Sequence, residues 1–289
     1  MPQAGFIRGH SGPDPSHMKG LQAVFSQLGY ELDTSSAQTV QASLNSVSKT
    51  GSPMTLQIVS TLLTLPMPEA QYLVAGVDPA NWNHYALSIP YYTHFTSPIR
   101  RYADVMVHRL LELSIRAKAD TEGAALLHGA NTDEAISCAM AVAEQCNVMK
   151  RASKQAQERS DRVYFALYLK DKPMDVSGYV VGVGEKSFTV YLPEFGISDR
   201  LFLDNMPGVT STWDSTTQSL QLHRAEGPGA ATAVAKVATS APNKLAFAGS
   251  LHVRMLMGVR VHLSTSLVPL NVQMSFIGQD ESSVPLGKL

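Results

Sequence analysis

The spacing of apolar residues predicts a helical first part and a strand-rich second part. Apolar side chains recur every three or four positions at about 18–28, 36–47 and 54–63, which predicts three short helices. The segments 72–77 and 85–89 are short, contain apolar and aromatic residues and flank a turn, and they predict two strands. This part of the chain is therefore expected to mix helices with a small sheet.

Two longer helices are predicted next. Thr96-Ser97-Pro98 is typical of a helix start, because Ser or Thr can cap free backbone N–H groups and Pro is tolerated at the first helical position. A second helix is predicted from near Thr132 to Lys170, a stretch without Gly or Pro. The middle of that helix carries a local surplus of positive charge.

After Lys172 the apolar period changes from helical to alternating. Strands of a small β-barrel are predicted by this alternation at 176–183, 187–192, 200–203, 259–263 and 270–276. Residues from about 208 to 250 are rich in Ser, Thr, Ala and Gly, which favours a disordered insertion within the barrel. The pattern as a whole predicts an α+β fold with the helices before the barrel.

Composition excludes some classes of protein. The 289 residues are 44% hydrophobic, which is enough to bury a core, and no apolar stretch approaches the roughly 20 residues of a membrane span. The net charge is −1, so a polyanion would have to be held by local clusters. Cys138 and Cys146 fit neither a disulfide framework nor a zinc site, and the first residues lack an apolar signal core. We expect a cytoplasmic protein with no membrane contact.

The most informative segment is HYALSIPYYTHFTSPIRRYADVMVHRLL, at 84–111. It places aromatic residues just before a predicted helix and two arginines, Arg100 and Arg101, in its first turn. A helix N-terminus attracts phosphate, and aromatic rings can stack on the bases of a single strand, so the segment is compatible with RNA binding. A structural interpretation fits equally well: the arginines could pair with Asp104 while the tyrosines pack in the core.

The same segment resembles the signature of the RNase II/RNB exoribonuclease family, in which FTSPIRRYAD is the most recognisable string. Two further strings, MPQAGFIRGHSGPDP and CNVMKRASKQAQERSDRVYFALYL, resemble other parts of that catalytic domain. GYVVGVGEKSFTVYLPEFGI resembles the family's terminal OB-fold barrel of the S-one type. The wording is most similar to the Dis-three-like exonuclease branch, in particular its second, cytoplasmic type. The resemblance covers the C-terminal portion of such a protein.

The resemblance implies a domain organisation and an activity. Residues 1–171 would be the C-terminal part of the RNB catalytic domain, 172–283 an RNA-binding OB-fold barrel with the insertion near 208–250, and 284–289 a tail. The implied activity is processive hydrolysis of single-stranded RNA from its 3′ end, with release of nucleoside 5′-monophosphates. Single-stranded RNA is the expected partner, and no obligate protein partner is inferred.

Residue roles follow from the same resemblance. Arg100 matches the arginine of the SPIR string and would clamp a phosphate and stabilise charge in the transition state, with Glu158 near the position of a second catalytic residue. Arg101 would be a structural or phosphate-positioning partner. The remaining RNA-binding candidates come from the signature, the basic helix and the barrel: Tyr92, His94, Thr96, Ser97, Lys150, Arg151, Lys154, Tyr179, Phe188 and Tyr191. The three barrel aromatics could equally pack in a core.

One feature departs from the family pattern. Its active site needs a cluster of four aspartates that holds Mg²⁺, because the metal activates water and neutralises oxyanions. This chain has no such string: Asp14, Asp33 and Asp78 are isolated, and Asp133-Glu134 open a helix. No metal ligands are therefore expected here. The chain is either a portion of a longer exoribonuclease or a non-catalytic RNA-binding relative, with a purely structural module as a third hypothesis.

Overall fold

The computed structural model describes residues 3–77, 79–206, 208–215, 217–224, 245–247, 249–267, 270–283 and 286. The chain forms two compact units. The first unit contains Met1–Ala23, Glu31–Ser43 and Leu63–Gln157, and the second contains Val24–Tyr30, Leu44–Leu62 and Glu158–Leu289. Helical residues before 172 thus belong to both units, and the domain boundary predicted at 171/172 stays a prediction.

Six α-helices are present in the described part of the chain: α1 (Pro15–Gln27), α2 (Ala37–Thr50), α3 (Pro53–Thr64), α4 (Tyr102–Ala119), α5 (Thr121–Gly129) and α6 (Asp133–Asp171). Helix α1 begins with Pro15, and the Asp14 carboxylate accepts the backbone N–H of Ser16 at 2.7 Å. Helix α3 begins in the same way, because Ser52 Oγ accepts the backbone N–H of Thr55 at 3.1 Å. The helices predicted at about 18–28, 36–47, 54–63 and 132–170 are confirmed as α1, α2, α3 and α6.

The first unit contains a small antiparallel sheet of β1 (Phe6–Gly9) and β2 (Gln71–Val74). Phe6 and Val74 pack with the small residues Ala139 and Ala143 of α6. Small side chains let a helix approach a sheet closely. The Asn147 side chain fixes this approach, because it accepts the backbone N–H of Tyr72 at 2.8 Å and donates to the Tyr72 carbonyl at 3.0 Å.

The strand predicted at 85–89 is wrong. Tyr85–Leu87 form a short 3-10 turn, and Ser88 adopts a left-handed backbone with φ of 53°. The His84 N–H donates to the Ile89 carbonyl at 2.9 Å, while the Tyr85 N–H donates to the His10 carbonyl at 2.9 Å. The segment therefore closes on itself and is held by a residue about 75 positions earlier, which local alternation does not register.

The second unit contains the barrel strands. They are β3 (Met174–Gly184), β4 (Ser187–Leu192), β5 (Ile197–Phe202), β6 (Val209–Asp214), β7 (Ser219–Arg224), β8 (Ser250–Val253), β9 (Gly258–Leu267) and β10 (Leu270–Gln279). An antiparallel sheet has the order β10-β9-β3-β4-β5, and β10 also approaches β5, so this sheet curls on itself. A second sheet has the order β6-β7-β8.

Alternation along these strands sets the core of the second unit. Phe188, Val190 and Leu192 of β4 are buried on one face, as the sequence predicted, and Val259 and Val261 of β9 are buried with them. Burial of apolar surface is the main stabilising term of such a core. The α+β fold with an OB-like β region is thereby confirmed.

The insertion predicted at about 208–250 needs correction at its two ends. Strands β6 and β7 occupy 209–224 and pair with each other, and β8 begins at Ser250. Leu220 and Leu222 are buried in the barrel core despite the Ser- and Thr-rich composition around them. Residues 225–244, and the predicted tail apart from Leu286, lie outside the described residues. Within the described part of the chain, no helix has the length and apolar character that crossing a membrane requires.

Candidate nucleic-acid interface

Residues 97–101 form a turn that precedes α4. The backbone N–H groups of Arg100 and Arg101 both donate to the Ser97 carbonyl, at 3.2 and 3.1 Å. Arg101 is then extended, with φ of −131° and ψ of 110°, and α4 begins at Tyr102. The expectation that the arginines lie in the first helical turn, after a cap by Thr96 or Ser97, is therefore wrong.

The physical reason is a carboxylate seven residues downstream of Ser97. Asp104 is fully buried, and its Oδ2 accepts the Ser97 N–H at 2.8 Å and an Arg101 Nη2–H at 2.8 Å. Burial alone would raise the pKa of Asp104, but the bonds from Arg101 and Ser97 and the Arg101 charge together lower it. Arg101 thus forms the structural ion pair with Asp104 that the sequence analysis gave as one of two interpretations.

Arg100 is arranged differently from Arg101. Its side chain is exposed, and Nη2 lies 3.5 Å from Ser97 Oγ, the limit of a hydrogen bond. Among the described residues no carboxylate forms an ion pair with it. Two exposed aromatic rings, Tyr91 and Phe95, lie in the same segment. The segment therefore presents one guanidinium without an acidic partner among the described residues and two exposed rings, groups that can contact a phosphate and bases.

A second group of polar side chains lies at β1 and β2. Arg8 is 2% exposed, and its guanidinium carbon lies 4.5 Å from the centre of the Tyr72 ring. Tyr72 Oη and His94 Nδ1 are 2.7 Å apart, and the Tyr92 ring meets His94 edge-on. Burial, followed by the charges of Arg101 and Arg8, lowers the pKa of His94 to about 4, so its imidazole is neutral at pH 7.

Two further histidines extend this group. His10 and His84 stack with their ring centres 5.1 Å apart, and the Nδ1 atom of each is buried without a hydrogen-bond partner. Burial is the largest cause that lowers the pKa of each ring. Arg8 and these histidines were not among the candidates from sequence. The available signal was the charged Arg8 within the apolar strand Phe6–Gly9, inside a string that resembles the family.

The basic residues of α6 in the first unit have different partners. Lys154 donates to Glu69 at 2.5 Å, and Arg151 lies 3.6 Å from Glu144. Lys150 is exposed and has no ion pair with a described residue. Thr96 is exposed as well, whereas Tyr92 and His94 are partly buried. The structure therefore places Tyr92, His94, Thr96, Ser97, Arg100, Arg101, Lys150, Arg151 and Lys154 in one unit.

The remaining candidates lie in the second unit. Glu158 is exposed on α6. Tyr179, Phe188 and Tyr191 are all buried, so the hypothesis that their rings are exposed stacking platforms is wrong, and Phe188 belongs to the barrel core. The reason is that Phe188 faces the barrel interior, while the Tyr191 hydroxyl accepts a hydrogen bond from Gln57 at 3.1 Å on the outer side.

Carboxylates are sparse around these side chains. Within the described residues no group of three or more His, Cys, Asp or Glu side chains is placed to hold a metal ion. Asp104, the buried carboxylate of the first unit, is occupied by Arg101 and the Ser97 N–H. The residues present do not fit the acidic donor set that Mg²⁺ prefers.

Family models match both parts of the chain. The RNB domain matches residues 1–117, and the DIS3-like exonuclease 2 C-terminal family matches residues 173–245. DIS3-like exonuclease 2 of Xenopus tropicalis is 34% identical over 215 residues, covering 73% of this chain and 24% of that protein. The chain thus spans about a quarter of the length of this relative.

Solved structures share the fold at lower identity. Yeast Ssd1, described as a pseudonuclease, has a TM-score of 0.69 and 21% identity over 99% of this chain and 42% of its own. Mycoplasma genitalium RNase R, solved with ribose-methylated single-stranded RNA, has a TM-score of 0.67 and 17% identity over 95% of this chain and 38% of its own. From these matches and the signature at 84–111, the chain belongs to the RNB family, in its DIS3-like exonuclease 2 branch, and corresponds to the C-terminal part of such proteins.

Proposed function

We propose that this chain is the C-terminal part of a hydrolytic 3′-to-5′ exoribonuclease that degrades single-stranded RNA to nucleoside 5′-monophosphates in the cytoplasm. Its own role is to hold RNA: Arg100 contacts a backbone phosphate, and exposed aromatic rings of the same segment contact bases. The chain by itself binds RNA and does not hydrolyse it.

The observation that carries this proposal is the contrast between the two arginines of the signature. Arg101 is paired with a buried carboxylate, whereas Arg100 is exposed and has no acidic partner in the described structure. A free guanidinium can form two parallel hydrogen bonds to phosphate oxygens, and in a whole enzyme it can stabilise the charge that develops on them. A purely structural role would not require it to stay unpaired.

Hydrolysis needs more than this chain offers. In the family enzyme Mg²⁺ would supply the activated water and neutralise developing negative charge. The described carboxylates do not fit that metal, so every contribution assigned to this chain concerns binding and positioning. The RNase R structure with single-stranded RNA supports the choice of ligand, because that protein shares the fold.

A second candidate is a non-catalytic RNA-binding protein on the same scaffold. Yeast Ssd1 shares the fold and is described as a pseudonuclease, so a protein with this fold need not be a nuclease. The genomic sequence upstream of Met1 separates the two. An in-frame aspartate cluster there supports the enzyme, and substitutions at those positions support the binding protein.

The direct test is binding of a fluorescently labelled 20-nucleotide RNA, followed by anisotropy with and without Mg²⁺. We expect binding to the single strand, weaker binding to a blunt duplex, and no release of nucleoside monophosphates. Arg100→Ala should weaken binding, whereas Arg116→Ala, which removes an exposed arginine paired with Glu112, should not. Absence of RNA binding, or an equal effect of the two variants, would contradict the proposal.

A further inference from the structure

We propose that Arg8 and Lys150 of the first unit form a phosphate-binding site, in addition to the Arg100 contact, with the buried guanidinium of Arg8 as its floor. The inference rests on the proposed function in one respect, which is that RNA or its mononucleotide product supplies the phosphate.

The first observation is that Arg8 is buried without a charged partner. The residue is 2% exposed, its Nη1 atom is buried with no hydrogen-bond partner, and its ring neighbour Tyr72 is uncharged at pH 7. Burying an unpaired charge is costly, and buried polar groups are nearly always satisfied. A buried guanidinium with an unused donor therefore points to an anionic ligand.

The second observation is the charge balance around Arg8. Arg101 is neutralised by Asp104, and Lys154 is paired with Glu69, a carboxylate whose charge acts on both Arg8 and Lys150. Arg8 and Lys150 repel each other and have no ion pair with a described residue. After the two pairs are counted, two positive charges remain, which matches a dianionic phosphomonoester or adjacent phosphodiesters.

The third observation is that the surrounding side chains are neutral hydrogen-bonding groups. Tyr72, His94 and Tyr92 form a continuous ring cluster beside Arg8, and the His94 imidazole is uncharged. Neutral imidazole and phenol groups can donate to phosphate oxygens, so they complement a phosphate without adding repulsion. Lys150 of α6 is exposed, so the site is open on the side of α6.

The backbone at the floor is fixed before any ligand binds. The Arg8 N–H donates to the Tyr92 carbonyl at 2.7 Å, and Arg8 pairs with Tyr72 in the sheet. A Cβ at the neighbouring Gly9 would lie 2.5 Å from Leu73 Cδ1 and 2.6 Å from the Asn81 carbonyl oxygen. The strand has no room to shift here, and the Arg8 side chain is thereby preorganised.

A carboxylate from a protein segment is the competing ligand, because it also accepts hydrogen bonds from a guanidinium. The charge balance favours phosphate: one carboxylate neutralises one of the two remaining positive charges, whereas a phosphomonoester neutralises both. The two ligands are separated by experiment, with inorganic phosphate, adenosine 5′-monophosphate, adenosine and a short polyglutamate peptide as probes.

The test is thermal unfolding of the full 289-residue chain at constant ionic strength. Phosphate and adenosine 5′-monophosphate at about ten times their Kd should raise Tm by about 2–5 °C, and adenosine should not. Arg8→Met keeps the apolar stem and removes the unpaired charge. It should leave Tm without ligand unchanged or higher, and weaken phosphate binding at least tenfold. Arg116→Met, an exposed and paired arginine, is the matched control.

A second variant protects the test against misfolding of Arg8→Met. Lys150 is exposed on a helix, so Lys150→Met should leave the fold intact, and it should weaken phosphate binding at least threefold. A fall in Tm for Arg8→Met with unchanged phosphate affinity, or an effect of Lys150→Met no larger than that of Arg116→Met, overturns the site. Stabilisation by polyglutamate and not by phosphate overturns it in favour of a protein ligand.

RNA binding is measured in parallel so that the two proposals fail separately. Phosphate binding that depends on Arg8, without any RNA binding, retains the site and rejects the proposed function. RNA binding that is insensitive to both Arg8→Met and Lys150→Met, together with no effect of phosphate on Tm, rejects the site and retains the function.

Discussion

Arg101 donates a 2.8 Å hydrogen bond to Oδ2 of Asp104, a carboxylate with no exposed surface, and the same oxygen accepts the Ser97 N–H. This pair fixes the turn that carries Arg100. Two consecutive arginines of one motif therefore have different tasks: Arg101 holds the turn, and Arg100 is left for a ligand. The predictions that follow separate these tasks.

Breaking the Arg101–Asp104 pair should destabilise the first unit. Asp104→Asn removes the charge and leaves the guanidinium without its counter-ion, which costs about 3 kcal/mol for a buried pair. Urea unfolding at pH 7 measures the loss. Glu112→Gln is the control, because it breaks an exposed pair with Arg116 that is worth about 1 kcal/mol or less. Equal losses in the two variants would contradict the structural role of Asp104.

The same pair should contribute to acid sensitivity. The pKa of Asp104 is lowered in the folded protein, so its stabilisation is complete above the ordinary value of 3.8 and is lost as pH falls through the lower folded value. Between pH 4 and pH 2 the free energy of unfolding of the wild type should fall more steeply than that of Asp104→Asn.

Arg100→Ala should change binding and leave stability intact. The side chain is exposed and has only a 3.5 Å contact with Ser97, so the free energy of unfolding should change by about 0.5 kcal/mol or less. Loss of one phosphate contact should reduce the slope of log Kd against log salt concentration by about 0.7 for a single strand. Anisotropy titrations over a salt series measure the slope. Arg100→Lys should restore part of it, because a point charge still attracts phosphate but does not form the two-pronged contact.

The lowered pKa of His94 predicts that the free energy of unfolding also depends on pH in a second range, above that of Asp104. Its pKa is lowered from 6.5 to about 4 in the folded protein, first by burial and then by the nearby arginine charges. The unfolded chain then binds a proton more readily, so stabilisation is complete above pH 6.5 and decreases as pH falls towards 4. In His94→Gln, the decrease in the free energy of unfolding between pH 6.5 and pH 4 should be smaller than in the wild type by about 1–3 kcal/mol. A slope should remain from His10 and His84, whose pKa values are also lowered.

Local periodicity predicted those elements whose cause is local. Helix α6 was expected at about 132–170 and is observed at Asp133–Asp171, because an uninterrupted run without Gly or Pro extends a helix once it has begun. The buried face of β4 was also predicted, because alternation at Phe188, Val190 and Leu192 is sufficient to assign it. Both results depend on neighbours within one element.

The features that sequence reasoning missed depend on distant residues. Ser97 lies before a turn that the contacts of Asp104 with Ser97 and Arg101 hold outside helix α4, and Arg8 is a candidate only because β1 pairs with a strand more than 60 residues later. The outer face of β4 is covered in part by Gln57, which contacts Tyr191 across 134 residues. Alternation assigns Tyr191 to a face but does not show whether that face is covered.

The barrel supplies a prediction that is independent of RNA. Gly178 lies in β3, paired with Val259 of β9, and a Cβ at this position would lie 2.7 Å from both Leu192 Cδ2 and Val190 Cγ1. Both side chains are fully buried in the core. Gly178→Ala should therefore destabilise the second unit by about 1–3 kcal/mol through overpacking.

The same strand offers a matched control for this substitution. A Cβ at Gly182 would lie 3.6 Å from the nearest Thr189 atoms, which is an ordinary contact, so Gly182→Ala should change the free energy of unfolding by about 0.5 kcal/mol or less. Urea unfolding followed by near-ultraviolet circular dichroism compares the two variants. The difference between them measures close packing in β3, because each adds one methyl group to the same strand. Equal stability of the two variants would show that Val190 and Leu192 can yield, and that the core around β4 is less tightly packed than the distances require.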